Sequence, residues 1–321
     1  MTPDELERIH QACRVLGAGG LVAFPTETVY GLGADATRDD GVERIFRVKR
    51  RPLRHPLIAH FASLAMMRDW VELPPMAVEL GERFWPGPLT CVVRRSARLS
   101  PLVSGGLDTL AVRVPGHPLA RALIAAFGSP LAAPSANRFG RVSPTSAEHV
   151  RTDLGSDVDF VLDGGACEVG VESTIVDCLS EPGRLLRRGS VTLDELCAAT
   201  TRAIEDASDT ASGAPGTLPA HYAPEARLVL VERDQFAEAV ARIAAQGARV
   251  GALLPPGRPR PAQAVHVIEL ESDPILLARN LYRSLRELDA HCDVIVASLP
   301  PEVGVGAAVA DRLRRAAAAS H

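Results

Sequence analysis

The 321-residue chain is 46% hydrophobic and 23% charged, enough apolar material for a substantial core and two domains, which excludes a disordered protein. Thirty-five basic against 39 acidic residues leave a net charge of −4, which excludes a generally basic, nucleic-acid-coating surface. Apolar stretches such as LVAF at 21–24 and DVIVASL at 293–299 fall far short of the ~20 residues that cross a bilayer, so no membrane partner is expected.

The N-terminal TPDELERIHQ lacks the apolar centre of a secretory signal, and a cytoplasmic location is expected. It carries a helix start instead: Thr2 as cap, Pro3 in the first turn, Glu5 completing a capping box, then Leu6, Ile9, Cys13 and Leu16 on one face. Beyond Gly17, Gly19 and Gly20, β-prone runs at 21–24, 89–93, 110–114, 159–163 and 173–178 alternate with helical segments near 40–48, 75–84, 117–127 and 145–154. This is an α/β pattern. From about 202 the sequence IEDASDTASGAPGTLPAHYAPEA cannot build a core of its own and reads as a linker, 202–226. Beyond it, strands at 227–231, 249–254, 265–270 and 293–298 with helices at 234–246, 274–290 and 306–318 form a second, smaller α/β unit. The expected division is 1–201, the linker, and 227–321. Six cysteines show no C-x-x-C pair, so they are expected to be reduced and buried, with no zinc knuckle.

Several segments hold residues able to do chemistry. Phe24-Pro-Thr-Glu-Thr-Val-Tyr-Gly-Leu-Gly33 packs hydroxyls, a carboxylate and two glycines behind a buried strand. Two readings are open: a grip on a polar ligand, or a turn needing positive φ at its glycines. Gly31-x-Gly33-x-x-Ala36 only imitates a dinucleotide fingerprint, because no acidic ribose partner follows. Residues 44–54 hold six cations and no acid, and among the 35 basic residues Lys49 is the sole lysine. Such cations either stabilise a helix C-terminus or form a polyanion site with Arg51.

His60 lies near the end of a strand opened by His55-Pro56, as a structural residue or a ligand contact. Arg113, inside the apolar LAVRV, must face a partner or an anionic ligand. Pro134-Ser135-Ala136-Asn137 follows a short apolar strand, the position where open α/β sheets bind ligands. Ser143 reads as the cap of a helix beginning at Pro144. Glu172-Ser173-Thr174 and Leu186-Arg187-Arg188 add hydroxyls and guanidinium groups beside further β-type runs.

Taken in order, FPTETVYGLG (24–33), Lys49-x-Arg51-Pro52 with HPL (55–57), FWPGPLT (84–90), AVRVPGHP (111–118), PSAN (134–137), VEST (171–174) and LLRRGSVT (185–192) resemble the YrdC/Sua family of L-threonylcarbamoyl-adenylate synthases. HYAP (221–224), LYRSLRELDA (281–290) and GVGAAVADRLRRAA (304–317) are similar to its longer, Sua-type branch. The resemblance implies a YrdC-like twisted mixed sheet with helices, plus a Rossmann-like α/β C-terminal domain. It implies a nucleotidyltransferase that joins L-threonine, bicarbonate or CO2, and ATP into threonylcarbamoyl-AMP and pyrophosphate. Mg2+ is expected with the ATP, with no protein metal ligand and no tightly bound organic cofactor. The product is expected to pass to the tRNA threonylcarbamoyl transferase that modifies an adenosine next to the anticodon, and weak tRNA or double-stranded RNA binding is compatible with the basic run.

Carried over by position, Lys49, Arg51, Ser135 and Asn137 match the family's signature. Thr28, His60, Arg113, Ala133 and Ser173 match its threonine contacts. Arg51, His55, Thr109, Ser135, Ser143, Arg187 and Tyr222 match its ATP contacts, with the linker expected as a lid over the active site. His55 stands where relatives usually have Asn, and Thr217-Leu218-Pro219-Ala220 lacks the basic residues many relatives carry before HYAP.

Overall fold

Thr2 opens the first helix through a reciprocal pair: its Oγ1 accepts the Glu5 N–H at 3.2 Å, and the Glu5 carboxylate takes the Thr2 N–H at 2.6 Å. The helix, α1 (Pro3–Gly17), buries Ile9, Ala12 and Leu16. The computed structural model describes residues 1–210, 215 and 221–319; Thr217–Ala220 and the middle of the expected linker lie outside them. The chain continues through β1 (Val22–Phe24), β2 (Gly31–Asp35), α2 (Asp39–Lys49), β3 (Ile58–His60), α3 (Leu64–Arg68), α4 (Pro75–Phe84), β4 (Leu89–Arg94) and β5 (Thr109–Arg113). Then come α5 (Pro118–Phe127), β6 (Leu131–Ala132), α6 (Ala147–Leu154), β7 (Phe160–Val161), β8 (Thr174–Asp177), β9 (Gly183–Arg187), α7 (Leu193–Ala199) and β10 (Ile204–Asp206).

Two compact units form. The first takes Met1–Phe139, Pro144–Glu168 and the described residues from 172 to 215; the second takes Gly140–Ser143, Val169–Val171 and the described residues beyond 220. Among the described residues the first unit has one ten-stranded sheet in the order β10-β9-β8-β4-β5-β3-β6-β2-β1-β7. It is mixed: β3/β5, β4/β8, β1/β7 and β9/β10 are parallel, while β1/β2, β2/β6, β3/β6, β4/β5 and β8/β9 are antiparallel. Leu16 of α1 and Leu123 of α5 bury with Phe24 and Leu131; a second cluster gathers Leu32, Ile45, Ala59, Leu80, Val112 and Val176. Each such Leu, Ile, Val or Phe side chain gains roughly 1.5–3 kcal/mol on burial. Ile204, in the stretch read as linker, is buried on the edge strand β10, paired in parallel with β9.

In the second unit β11 (Arg227–Leu230), β12 (Val250–Leu254), β13 (His266–Glu269) and β14 (Val294–Ala297) form a parallel sheet in the order β11-β14-β12-β13, with α8 (Phe236–Ala244), α9 (Pro274–Asp289) and α10 (Val305–Ala318). Two short segments from earlier in the chain join it: Ala223 N–H bonds Gly140 O at 2.8 Å, and Arg286 bonds Val142 O at 2.5 Å.

Three local expectations are corrected. Gly31 and Gly33 are not in a positive-φ turn; they lie in β2, where a Cβ on Gly33 would stand 2.7 Å from the Phe24 ring. Ser143 caps no helix. Pro144 O accepts the Tyr30 N–H at 2.8 Å, which holds that stretch in a loop, and Ser146 caps α6 by accepting the His149 N–H at 3.3 Å. Cys197 is exposed, whereas Cys91, Cys167, Cys178 and Cys292 are buried; all six cysteines are free.

Candidate active site

Helix α2 ends where its last residue turns inward. Arg50 adopts a left-handed φ of 54°, and the Arg50 and Arg51 N–H groups return to Arg47 O and Phe46 O. Lys49 is thereby driven into the interior, 1% exposed. Its Nζ donates to Ser135 O at 2.6 Å, to Asn137 O, and to Asn137 Oδ1 at 3.4 Å. In return Phe139 N–H bonds Lys49 O at 2.9 Å and Arg138 bonds Val48 O. The helix end and the 135–139 loop thus clasp each other. Burial and the neighbouring Arg51 charge hold the Lys49 ammonium well below its usual pKa. The loop is tied on its other side to β2, through Leu32 N–H to Pro134 O and Ala136 N–H to Tyr30 O, each 2.8 Å.

Arg51 leaves the same turn in another direction. Its Nε donates to His55 O at 3.3 Å and its Nη2 to Pro56 O at 3.0 Å, with the guanidinium 5.4 Å from the Phe139 ring centre. The half-buried His55 ring meets Phe139 edge-on, and burial beside Arg51 lowers its pKa.

At the far end of β3, His60 stands in register with Arg113 on the parallel β5. Arg113, 3% exposed, is anchored on three sides: Nη2 to Glu27 Oε1 at 2.7 Å, Nη1 to Thr28 Oγ1 at 2.9 Å, and Nε to Gly87 O at 3.3 Å. Glu27 also accepts the Gly116 N–H at 2.8 Å. Arg113 therefore faces a partner. Of its five N–H groups, two remain without an acceptor among the described residues, one on each terminal nitrogen. His60 donates from Nδ1–H to Ile58 O at 3.1 Å; burial, then the Arg113 charge, lower its pKa to about 3, so its ring is neutral at physiological pH. Ala133 is buried beneath Gly31, and its N–H bonds Ile58 O.

Ser173 enters β8 beside β4. Its Oγ shares a hydrogen bond of 2.7 Å with Thr90 Oγ1 and accepts from Arg187 Nη2 at 3.1 Å, while Arg187 Nε bonds Ser173 O at 3.0 Å. Register places the rest. Thr109 and Arg113 lie on one face of β5, four residues apart, about 13 Å along the strand. The β3/β5 pairing sets Arg113 beside His60 and carries Thr109 toward Pro56 and hence Arg51. The expected threonine positions Thr28, His60 and Arg113 thus collect at one end of this strand pair, and Arg51, His55 and Thr109 at the other. Arg187 departs from this sorting, being bound to Ser173.

Tyr222 and Ser143 belong to the second unit. Tyr222 is buried there at φ 63°, stacked on Tyr282 at 6.0 Å and covered by the Arg312 guanidinium at 5.1 Å. Sequence reasoning missed Glu27 as the partner of Arg113, Thr90 as that of Ser173, and Arg138 and Phe139 as halves of the Lys49 clasp. The sequence shows Glu27 as a carboxylate and Arg113 as facing a partner or an anionic ligand, but joining them requires the fold. Among the described residues no group of three His, Cys, Asp or Glu side chains is placed to hold a metal ion, and no helix is long and apolar enough to cross a membrane.

The comparisons agree across both units. A family model described as telomere recombination, covering Sua5, YciO and YrdC, matches residues 14–189, and one described as the threonylcarbamoyl-AMP synthase C-terminal domain matches 191–318. The threonylcarbamoyl-AMP synthase of Pyrococcus abyssi is 41% identical, over 96% of this chain and 94% of its own; that of Bacillus subtilis is 39% identical, over 98% and 95%. The crystal structure of P. abyssi Sua5 complexed with L-threonine superposes with a TM-score of 0.91 at 40% identity, covering 98% of this chain and 95% of that one. With motifs, fold and sequence in agreement along nearly its whole length, the chain belongs to the threonylcarbamoyl-AMP synthase family, in the branch that carries the Sua5 C-terminal domain.

Proposed function

We propose that the first unit performs this family's reaction, the formation of threonylcarbamoyl-AMP and pyrophosphate from L-threonine, bicarbonate or CO2, and ATP, for threonylcarbamoyladenosine formation in tRNA. The observation that carries the assignment of roles is Arg113: a buried guanidinium, fixed by Glu27, Thr28 and Gly87 and still holding two N–H groups, suits the threonine carboxylate. Thr28 and Ser173 supply hydroxyls, neutral His60 lines the same end without adding charge, and Ala133 leaves space for the amino acid. Its neutral amine stays free to attack CO2, with loss of a proton, or bicarbonate, with loss of water, giving the carbamate. The carbamate oxygen then attacks the α-phosphorus in line as pyrophosphate leaves.

Arg51, with His55 and Thr109, holds the nucleotide at the other end, and Arg187 reaches it beside Ser173. Lys49 acts through the 135–139 loop: its three acceptors fix Ser135 and Asn137, while Arg51 supplies the positive field where phosphate charge develops. Mg2+ would accompany the triphosphate, bound by phosphate oxygens and water, and would supply charge neutralisation there. The labile mixed anhydride would pass to the enzyme that transfers its threonylcarbamoyl group to tRNA. The test is mass spectrometry of a mixture of protein, ATP, Mg2+, L-threonine and 13C-bicarbonate. The reading expects threonylcarbamoyl-AMP carrying one 13C; ATP hydrolysis without it contradicts the reading.

A further inference from the structure

The second unit has a cavity of its own, about 420 Å3, lined entirely by its own residues. It lies at the carboxyl ends of the parallel strands, lined by Pro255, Leu270 and Ser298, the residues that directly follow β12, β13 and β14. β12 leads to β13 on one side of the sheet, whereas β14 leads to α10, which packs over β11 on the other. The chain therefore departs in opposite directions from the neighbours β14 and β12, which makes the crevice between them a topological switch point, where open α/β sheets take ligands. Its size falls within the roughly 300–1,000 Å3 of small-molecule sites.

Four polar features meet there. Ser298 is 2% exposed, and its Oγ has no hydrogen-bond partner among the described residues, a cost unless a ligand completes it. Helix α10 starts at the cavity with no side-chain cap: Gly304 is its N-cap at φ 58°, and Gly306, where a Cβ would stand 2.2 Å from Pro301 O, lets the strand–helix loop fold closely over the first turn. An uncapped N-terminus of a fourteen-residue helix favours an anion. Exposed Arg233, which makes no ion pair among the described residues, lines the same cavity. Opposite in charge is Glu271, just past the end of β13, the position from which a carboxylate takes ribose hydroxyls in dinucleotide folds. Pro255, Leu277 and Pro300 supply apolar walls.

We infer that this cavity is a second ligand site, for a nucleoside monophosphate: the phosphate against the start of α10, Arg233 and Ser298, the ribose diol against Glu271, and the base between the proline and leucine walls. The inference is independent of the chemistry proposed for the first unit. The test is photolabelling of the full chain with 8-azidoadenosine 5′-monophosphate, followed by peptide mapping. Label is expected on peptides spanning 255–277 or 298–306. It is expected to fall about tenfold in both Arg233→Glu and Ser298→Ala, with thermal melting not lowered in either variant. Label confined to residues 1–210, or undiminished labelling in either variant, overturns the inference. Since binding rather than turnover is read, the outcome stands apart from whether the first unit makes the adenylate.

Discussion

Arg113 and Glu27 form a buried ion pair, 2.7 Å between Nη2 and Oε1, with side chains 4% and 10% exposed. Such a pair is weak evidence for stability as a whole, but breaking it strands a charge at a cost of about 3–5 kcal/mol. Glu27→Ala is therefore expected to lower unfolding free energy by about 3 kcal/mol in urea titrations. It should also raise KM for L-threonine more than KM for ATP, because Arg113 loses the anchor that orients it.

His60 ties stability to pH. Its folded pKa of about 3 lies below the ordinary value near 6.5. The unfolded chain takes up the proton first, so the stabilisation is complete above about pH 6.5 and is lost as pH falls toward 3. Between pH 7 and 4.5 the wild type is expected to lose about 2–3 kcal/mol through this group. His60→Gln should lack that increment, measured as the difference in denaturant-derived stability between the two pH values.

Much of the local structure was legible in the sequence because its causes are local. The Thr2–Glu5 capping box, the alternating apolar runs that became β4, β5, β8 and the four strands of the second unit, and the exit of the chain after Lys49 all rest on neighbours a few residues apart. The failures rest on distant partners. β2 was read through its glycines as ligand grip or turn, since nothing nearby announces that Phe24 must lie across them. Ser143 and Ser146 both precede helix-compatible residues; the choice was made by Tyr30, whose N–H claims the Pro144 carbonyl. Candidate site residues came from residue type, motif order and the family resemblance those motifs carry, but the gathering of Thr28, His60 and Arg113 at one end of β3 and β5, and of Arg51, His55 and Thr109 at the other, follows from parallel register, which no single segment encodes.

Lys49→Met keeps much of the side-chain volume and removes the ammonium, leaving Ser135 O, Asn137 O and Asn137 Oδ1 without their donor. A loss of about 2 kcal/mol or more in stability is expected. Lys49→Arg should fail to restore activity, because a planar fork cannot address three oxygens clustered about one nitrogen. Turnover and chemical denaturation of the two variants check this.

Ser173→Ala removes the hydroxyl shared by Thr90 and Arg187. KM for threonine is expected to rise about tenfold, with a smaller rise for ATP because Arg187 Nη2 loses this acceptor while Arg187 Nε keeps Ser173 O. Steady-state kinetics with each substrate varied in turn will show the difference.

The most direct test is pyrophosphate release at saturating ATP, Mg2+ and bicarbonate, titrated with L-threonine in the wild type and in Arg113→Lys, which keeps the charge and loses the fork. Release by the wild type should depend on threonine. The variant should require about a hundredfold more of it, with KM for ATP changed by no more than about twofold. Wild-type release that is equal without threonine, or an unchanged threonine requirement in Arg113→Lys, would contradict the account.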